Sequence, residues 1–192
     1  MRNIQAQSSN TGTIGNSRMV YKVALVGHSQ LPHIDDFDDL EFEQFKIGGA
    51  RIESFTKGSD YERICSDEWD CVILFLGGND LSDHYDASAM VNDLMGFVDD
   101  IRAPLKLVTE IEPRTYSKRF ADQHKITTEQ YKGLAKCANN KLKNLKKSRG
   151  FQLIHTPSSY NNNSRDGIHI GEIGVRSLIE RYLARISRNR NV

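Results

Sequence analysis

A chain of 192 residues, 38% hydrophobic and 27% charged, can bury one sizeable core and is too apolar to read as a disordered polymer. Its formal net charge of +1 argues against a polyanion partner chosen by bulk charge alone. Cys65, Cys71 and Cys137 lack metal-ligand spacing, and an odd number of cysteines suits free thiols in a reducing compartment.

Residues 1–18 are rich in Ser, Asn, Gly and Thr without periodicity, and read as a flexible tail or linker. Residues 19–192 read as a single domain. The start "MRNIQAQSSN" has no apolar stretch typical of a secretory leader. The longest apolar run, "CVILFL", is far too short to cross a bilayer. The expectation is an intracellular, cytoplasmic protein with no transmembrane segment.

From Tyr21 the pattern changes. "YKVALV" is a short continuous apolar run, as expected of a strand buried on both faces. "EQFKI" (43–47), "CVILFL" (71–76), "LKLVTEI" (105–111) and "FQLIH" (151–155) look alike. Helical spacing begins after Asp86, with Met90, Val91, Leu94, Val98 and Ile101. Thr127 and Gln130 form a capping box ahead of a stripe of Tyr131, Leu134, Ala135, Ala138, Leu142 and Leu145. The last helix carries Val175, Leu178, Ile179, Tyr182, Leu183 and Ile186. Strands alternating with helices predict a three-layer α/β/α domain around a mostly parallel five-stranded sheet, flavodoxin-like in outline. In such folds the chemistry gathers at the carboxyl ends of the strands.

Charge is unevenly spread. The stretch 35–43, "DDFDDLEFE", is acidic, whereas 141–149, "KLKNLKKSR", and the end "RISRNRNV" are basic. Such runs are usually solvated faces; RNA contact through the basic ones is the weaker reading.

The residues just past each strand carry chemistry. "YKVALV" runs into "GHSQ", which puts Ser29 on a tight turn at the sheet edge, either as a helix cap or as an exposed nucleophile. "EQFKI" runs into "GGAR", where glycines make a turn or let backbone N–H groups approach a ligand. "CVILFL" runs into "GGND", where Asn79 is a turn residue or a neutral amide donor suited to an oxyanion. Before the last helix, "RDGIH" sets Asp166 three residues from His169, which suits a carboxylate orienting a base, or a cap beside a surface histidine.

Taken together these blocks resemble the SGNH hydrolases, also called GDSL-type esterases and lipases, over the region from Tyr21 to Ile186. The resemblance implies Ser29 as nucleophile, with Asp166 and His169 completing a catalytic triad. It further implies an oxyanion hole made by the Ser29 and Gly49 backbone N–H groups and the Asn79 side chain. Ester hydrolysis through an acyl-enzyme would result, on a small ester or lipid substrate, with no metal and no cofactor. One departure is His28, which stands where the family usually has Asp. A finer resemblance links "GHSQ" and "IEPR" (111–114) to esterase domains in the first open reading frame of some non-LTR retrotransposons.

His28, His84 and Arg114 are candidate substrate-pocket residues, and His33 is a weaker one. His124 and His155 have no partner visible in the sequence, and Trp69 reads as an anchor beside the third strand. The competing reading is a non-catalytic module of the same fold that binds RNA, lipid or a protein partner. A flavodoxin-like nucleotide binder is disfavoured because "GHSQLPH" lacks the glycines and lysine of a phosphate loop. Oligomeric state is not legible.

Overall fold

The computed structural model describes residues 20–29, 31–35, 39–84, 86–156 and 172–190. In chain order the elements are β1 (Tyr21–Gly27), β2 (Leu40–Lys46), α1 (Ile52–Thr56), α2 (Tyr61–Ile64), β3 (Cys71–Phe75) and α3 (Gly78–His84). They continue with α4 (Ala87–Asp100), β4 (Leu105–Thr109), α5 (Lys118–His124), α6 (Thr128–Leu145), β5 (Gln152–Ile154) and α7 (Glu172–Arg190).

The five described strands form one sheet in the order β2-β1-β3-β4-β5, and every pairing is parallel. Side chains alternate across it, as the pleat requires. Ala24, Val26, Val72, Leu74 and Val108 join the larger core beneath α1, α2, α4 and α6. Val23, Leu25, Cys71, Ile73 and Leu107 face the other way and pack with Leu178, Tyr182 and Ile186 of α7. The result is the expected three-layer α/β/α sandwich. Strand centres β1 and β3 are buried on both faces, which is why they read as unbroken apolar runs.

Two of the striped helices, α4 and α6, begin on side-chain caps, and the second is the capping box expected from the sequence. Asp86 Oδ1 accepts from the Ser88 and Ala89 N–H groups at 2.7 and 3.1 Å, which starts α4. Those two bonds favour the ionised form and lower the Asp86 carboxyl pKa below its ordinary value. Thr127 and Gln130 exchange both bonds of the capping box, at 3.2 and 2.8 Å. On α7, Tyr182 Oη lies 2.7 Å from Thr109 Oγ1, a buried bond that docks the helix on β4.

Two features differ from the sequence reading. Strand β2 starts at Leu40, inside the acidic stretch, and only Leu40 and Phe45 are buried. It is an edge strand, so its period-2 text "LEFEQFK" does not show as the doubly buried run expected of a central strand. Helices α1, α2, α3 and α5 span only four to seven residues, too short to display a helical stripe.

Candidate active site

The strand order places β1 centrally, and the direction of winding reverses between β1 and β3. Ligands in open parallel sheets bind beyond the carboxyl ends at that switch point. Three of the sequence blocks leave the sheet there. Gly27 at the end of β1 is in register with Lys46 of β2 and Phe75 of β3. Adjacent strands are about 4.8 Å apart, so Ser29, Gly49 and Asn79 each emerge a few residues beyond neighbouring strand ends.

Ser29 is exposed on a tight turn, closed by the Leu31 N–H donating to the His28 carbonyl at 2.9 Å. Gly49 is also exposed and lies in a turn closed by Ala50 N–H to the Ile47 carbonyl at 3.2 Å. Its φ is +70°, and an added Cβ would meet nothing within 4 Å. The requirement for glycine there is therefore conformational, not steric.

Asn79 lies in the first turn of α3, not in an open loop. Its Nδ2 donates to the Ala50 carbonyl at 2.9 Å, which fastens the third block to the second. Its Oδ1 accepts from Arg114 Nη1 at 3.0 Å. The adjacent Asp80 accepts from the Ile52 N–H at 3.2 Å and makes a second tie between the same two segments.

Beneath Asn79 is a buried polar layer. Arg114 and Glu112 are 1% and 2% exposed, and their charges meet inside the protein. Glu112 Oε1 accepts from Arg114 Nη2 at 2.8 Å and from Nε at 3.1 Å. Arg114 Nη1 also reaches Ser82 Oγ at 3.4 Å, and Ser82 Oγ lies 2.7 Å from Tyr116 Oη. Burial opposes the guanidinium charge, but Tyr131, Glu112 and Tyr116 more than offset it and raise the Arg114 pKa above its ordinary value. A Cβ on Gly78 would collide with Arg114 Nη2 and sit 2.9 Å from Glu112 Oε1, so "GGND" needs its second glycine for this approach.

The other candidate residues fall in different places. His28 is 1% exposed, with its ring 4.9 Å from that of Phe75 and its Nε2 3.8 Å from Glu112 Oε1. His28 and Arg114 therefore support the strand ends from below, and neither is an open pocket wall as the sequence suggests. His84 closes α3. His33 is exposed beside Asp35 and Gln44, at 2.9 and 2.8 Å. Asp166 and His169 lie outside the described residues. Among the described residues, no group of three or more His, Cys, Asp or Glu could hold a metal, and no helix is long and apolar enough to cross a membrane.

Sequence reasoning misses Glu112, although a signal is present. Pro113 disfavours a helical conformation at Glu112, so Glu112 and Arg114 reach the same side of an extended segment. It also misses the partners of two histidines. His124 Nδ1 lies 3.1 Å from Asp83 Oδ1, and Asp83 pairs with Arg51 as well. His155 Nδ1 is 2.7 Å from Glu110 Oε1, which Lys143 approaches at 3.3 Å. Trp69 is a buried anchor whose Nε1 donates to the Arg63 carbonyl at 2.9 Å. Part of the basic character is neutralised in place: Lys143 pairs with Glu110, Arg149 with Asp99 and Arg190 with Asp39.

The sequence profile of the GDSL-like lipase/acylhydrolase family matches residues 8–182. The chain belongs to that family. It is thereby a carboxylic ester hydrolase by descent, with a fold found in solved structures of low identity. A lipase/acylhydrolase from Enterococcus faecalis superposes with a TM-score of 0.63 at 15% identity, covering 88% of this chain and 97% of that one. A carbohydrate acetylesterase family member from Sinorhizobium meliloti gives 0.65 at 15% identity, covering 87% and 98%. A GDSL-family lipolytic protein from Veillonella parvula gives 0.66 at 11%, covering 88% and 100%. No match was found among curated proteins.

Proposed function

We propose that this GDSL-family chain hydrolyses carboxylic esters through a Ser29–His169–Asp166 triad and an acyl-enzyme. What supports the reading is that the segments carrying Ser29, Gly49 and Asn79 follow three adjacent parallel strands, β1, β2 and β3, at the switch point of the sheet, and that Asn79 Nδ2 donates to the Ala50 carbonyl beside Gly49 at 2.9 Å. Ser29 Oγ attacks the ester carbonyl carbon while His169 takes its proton, and Asp166 holds the imidazole in the productive tautomer. The oxyanion is received by the Ser29 and Gly49 N–H groups and by Asn79 Nδ2. His169 then returns the proton to the alkoxide as the C–O bond breaks and the alcohol leaves. Water, deprotonated by His169, attacks the acyl-enzyme and releases the acid with Ser29 restored.

Short acyl or acetyl esters are the proposed substrates. No long apolar segment separates the blocks to form a lid, and acetylesterases are among the structures of the same fold. The catalytic unit is residues 19–192. The test is turnover of p-nitrophenyl acetate, butyrate and octanoate by the wild type and by Ser29→Ala. The acetate should be hydrolysed fastest and the variant should be inert; equal turnover by both proteins would overturn the reading.

A further inference from the structure

We propose that Arg114 is a positioning residue that fixes the carboxamide of Asn79 with its N–H side toward the substrate. The proposal rests on the esterase reading, because it gives Asn79 the role of oxyanion donor. An asparagine amide has two chemically opposite ends, and rotating it by half a turn exchanges a donor for an acceptor. At an oxyanion site the wrong end places a carbonyl dipole against developing negative charge. Something must therefore choose the end.

A guanidinium is the side chain best suited to make that choice. It carries donors only and remains charged, so the atom 3.0 Å from Arg114 Nη1 must be the acceptor Oδ1. Nδ2 is then turned toward the second block, where one of its hydrogens meets the Ala50 carbonyl at 2.9 Å. Its second hydrogen is left for the oxyanion. The amide is gripped at both ends, and each grip rejects the flipped orientation.

The guanidinium is itself held independently of Asn79. Glu112 Oε1 accepts from Nη2 and Nε, Ser82 Oγ shares Nη1, and the Tyr131 ring lies beneath with its centroid 5.6 Å away. Gly78 clears the space through which the guanidinium passes under α3. A buried ion pair adds little net stability over an apolar pair of the same size. Orientation of the layer above it gives the pair a use that bulk stability does not.

The test is a double-mutant cycle on p-nitrophenyl acetate, with side-chain amide NMR as a readout independent of turnover. Arg114→Lys keeps the charge but cannot serve Glu112 and Asn79 together. It should lower kcat about tenfold or more with KM nearly unchanged, and it should cost almost nothing further in an Asn79→Ala background. Arg114→Met with Glu112→Met removes both charges of the pair together and guards against a misfolded lysine variant; it should show the same kcat loss and the same dependence on Asn79. The Asn79 carboxamide pair, identified by its absence in Asn79→Asp, should move and exchange faster with solvent in both variants. Equal losses in both backgrounds, an unchanged kcat, or an unmoved amide pair would overturn the role given to Arg114. Absence of ester turnover by the wild type would instead overturn the esterase reading, and the amide pair would still decide whether Arg114 holds Asn79.

Discussion

Arg114 Nη1 lies 3.0 Å from Asn79 Oδ1, and this contact joins the loop after β4 to the helix after β3. It also makes Asn79→Asp an informative substitution. Aspartate keeps the acceptor that faces Arg114 and replaces the Nδ2 donor with another acceptor. Turnover of an aryl acetate should fall roughly a hundredfold to a thousandfold, as for loss of an oxyanion donor, with the fold retained. A fully active Asn79→Asp would show that the amide donor serves only the Ala50 carbonyl.

Gly49 offers a conformational test, because a side chain at φ +70° is strained whatever the space around it. Gly49→Ala should destabilise the protein by about 1 kcal/mol and should lower turnover by moving the backbone N–H assigned to the oxyanion. Urea titration and steady-state kinetics measure the two effects separately. An unchanged kcat in a destabilised variant would remove Gly49 from the oxyanion hole.

Asp166 and His169 divide along the same line. His169→Ala should abolish nearly all turnover. Asp166→Asn should cut it severely, by roughly ten-thousandfold, because the imidazole is then held in the wrong tautomer. A helix cap would instead cost about 0.5–2 kcal/mol of stability and leave specific activity intact. Thermal melts and kcat on the same preparation discriminate the two.

The cysteines give a pH-dependent prediction. Burial, and after it Asp100, pushes the Cys65 thiol up to about 11 from an ordinary 9.0; burial pushes Cys71 still higher. The folded chain therefore keeps these protons where the unfolded chain has begun to lose them. Their contribution to stability is complete below pH 9.0 and declines as pH climbs toward about 11. Urea midpoints should fall between about pH 8 and about pH 10.5, less so in Cys65→Ala. Iodoacetamide near neutral pH should modify the exposed Cys137 and spare the other two. Modification of Cys65 in the native state would contradict its burial.

How much of the fold and site is legible in the sequence depends on how each residue is held. The doubly buried stretches Val23–Val26 of β1 and Cys71–Phe75 of β3 announce themselves because no polar residue interrupts them, and Ser29 and Asn79 follow within two and four residues of the strand ends. The start of edge strand β2 is obscured because only Leu40 and Phe45 are buried, one on each face, and the glutamates between them look like loop. Arg114 is recognisable as belonging to the site, but its burial is not: the Pro113 pattern puts Glu112 on the same side, yet nothing local shows that the two charges are taken inside together. His124 looks solitary because Asp83 lies 41 residues away in sequence. Contacts of that separation depend on the packing of α5 against α3, which local sequence does not encode.

The central claim is that Ser29 is the nucleophile, and covalent labelling with a fluorophosphonate followed by peptide mass spectrometry tests it most directly. A phosphonyl adduct should appear on the peptide containing Ser29, and Ser29→Ala should give no adduct while its circular dichroism matches the wild type. An adduct on a different serine, or undiminished labelling of Ser29→Ala, would contradict the mechanism.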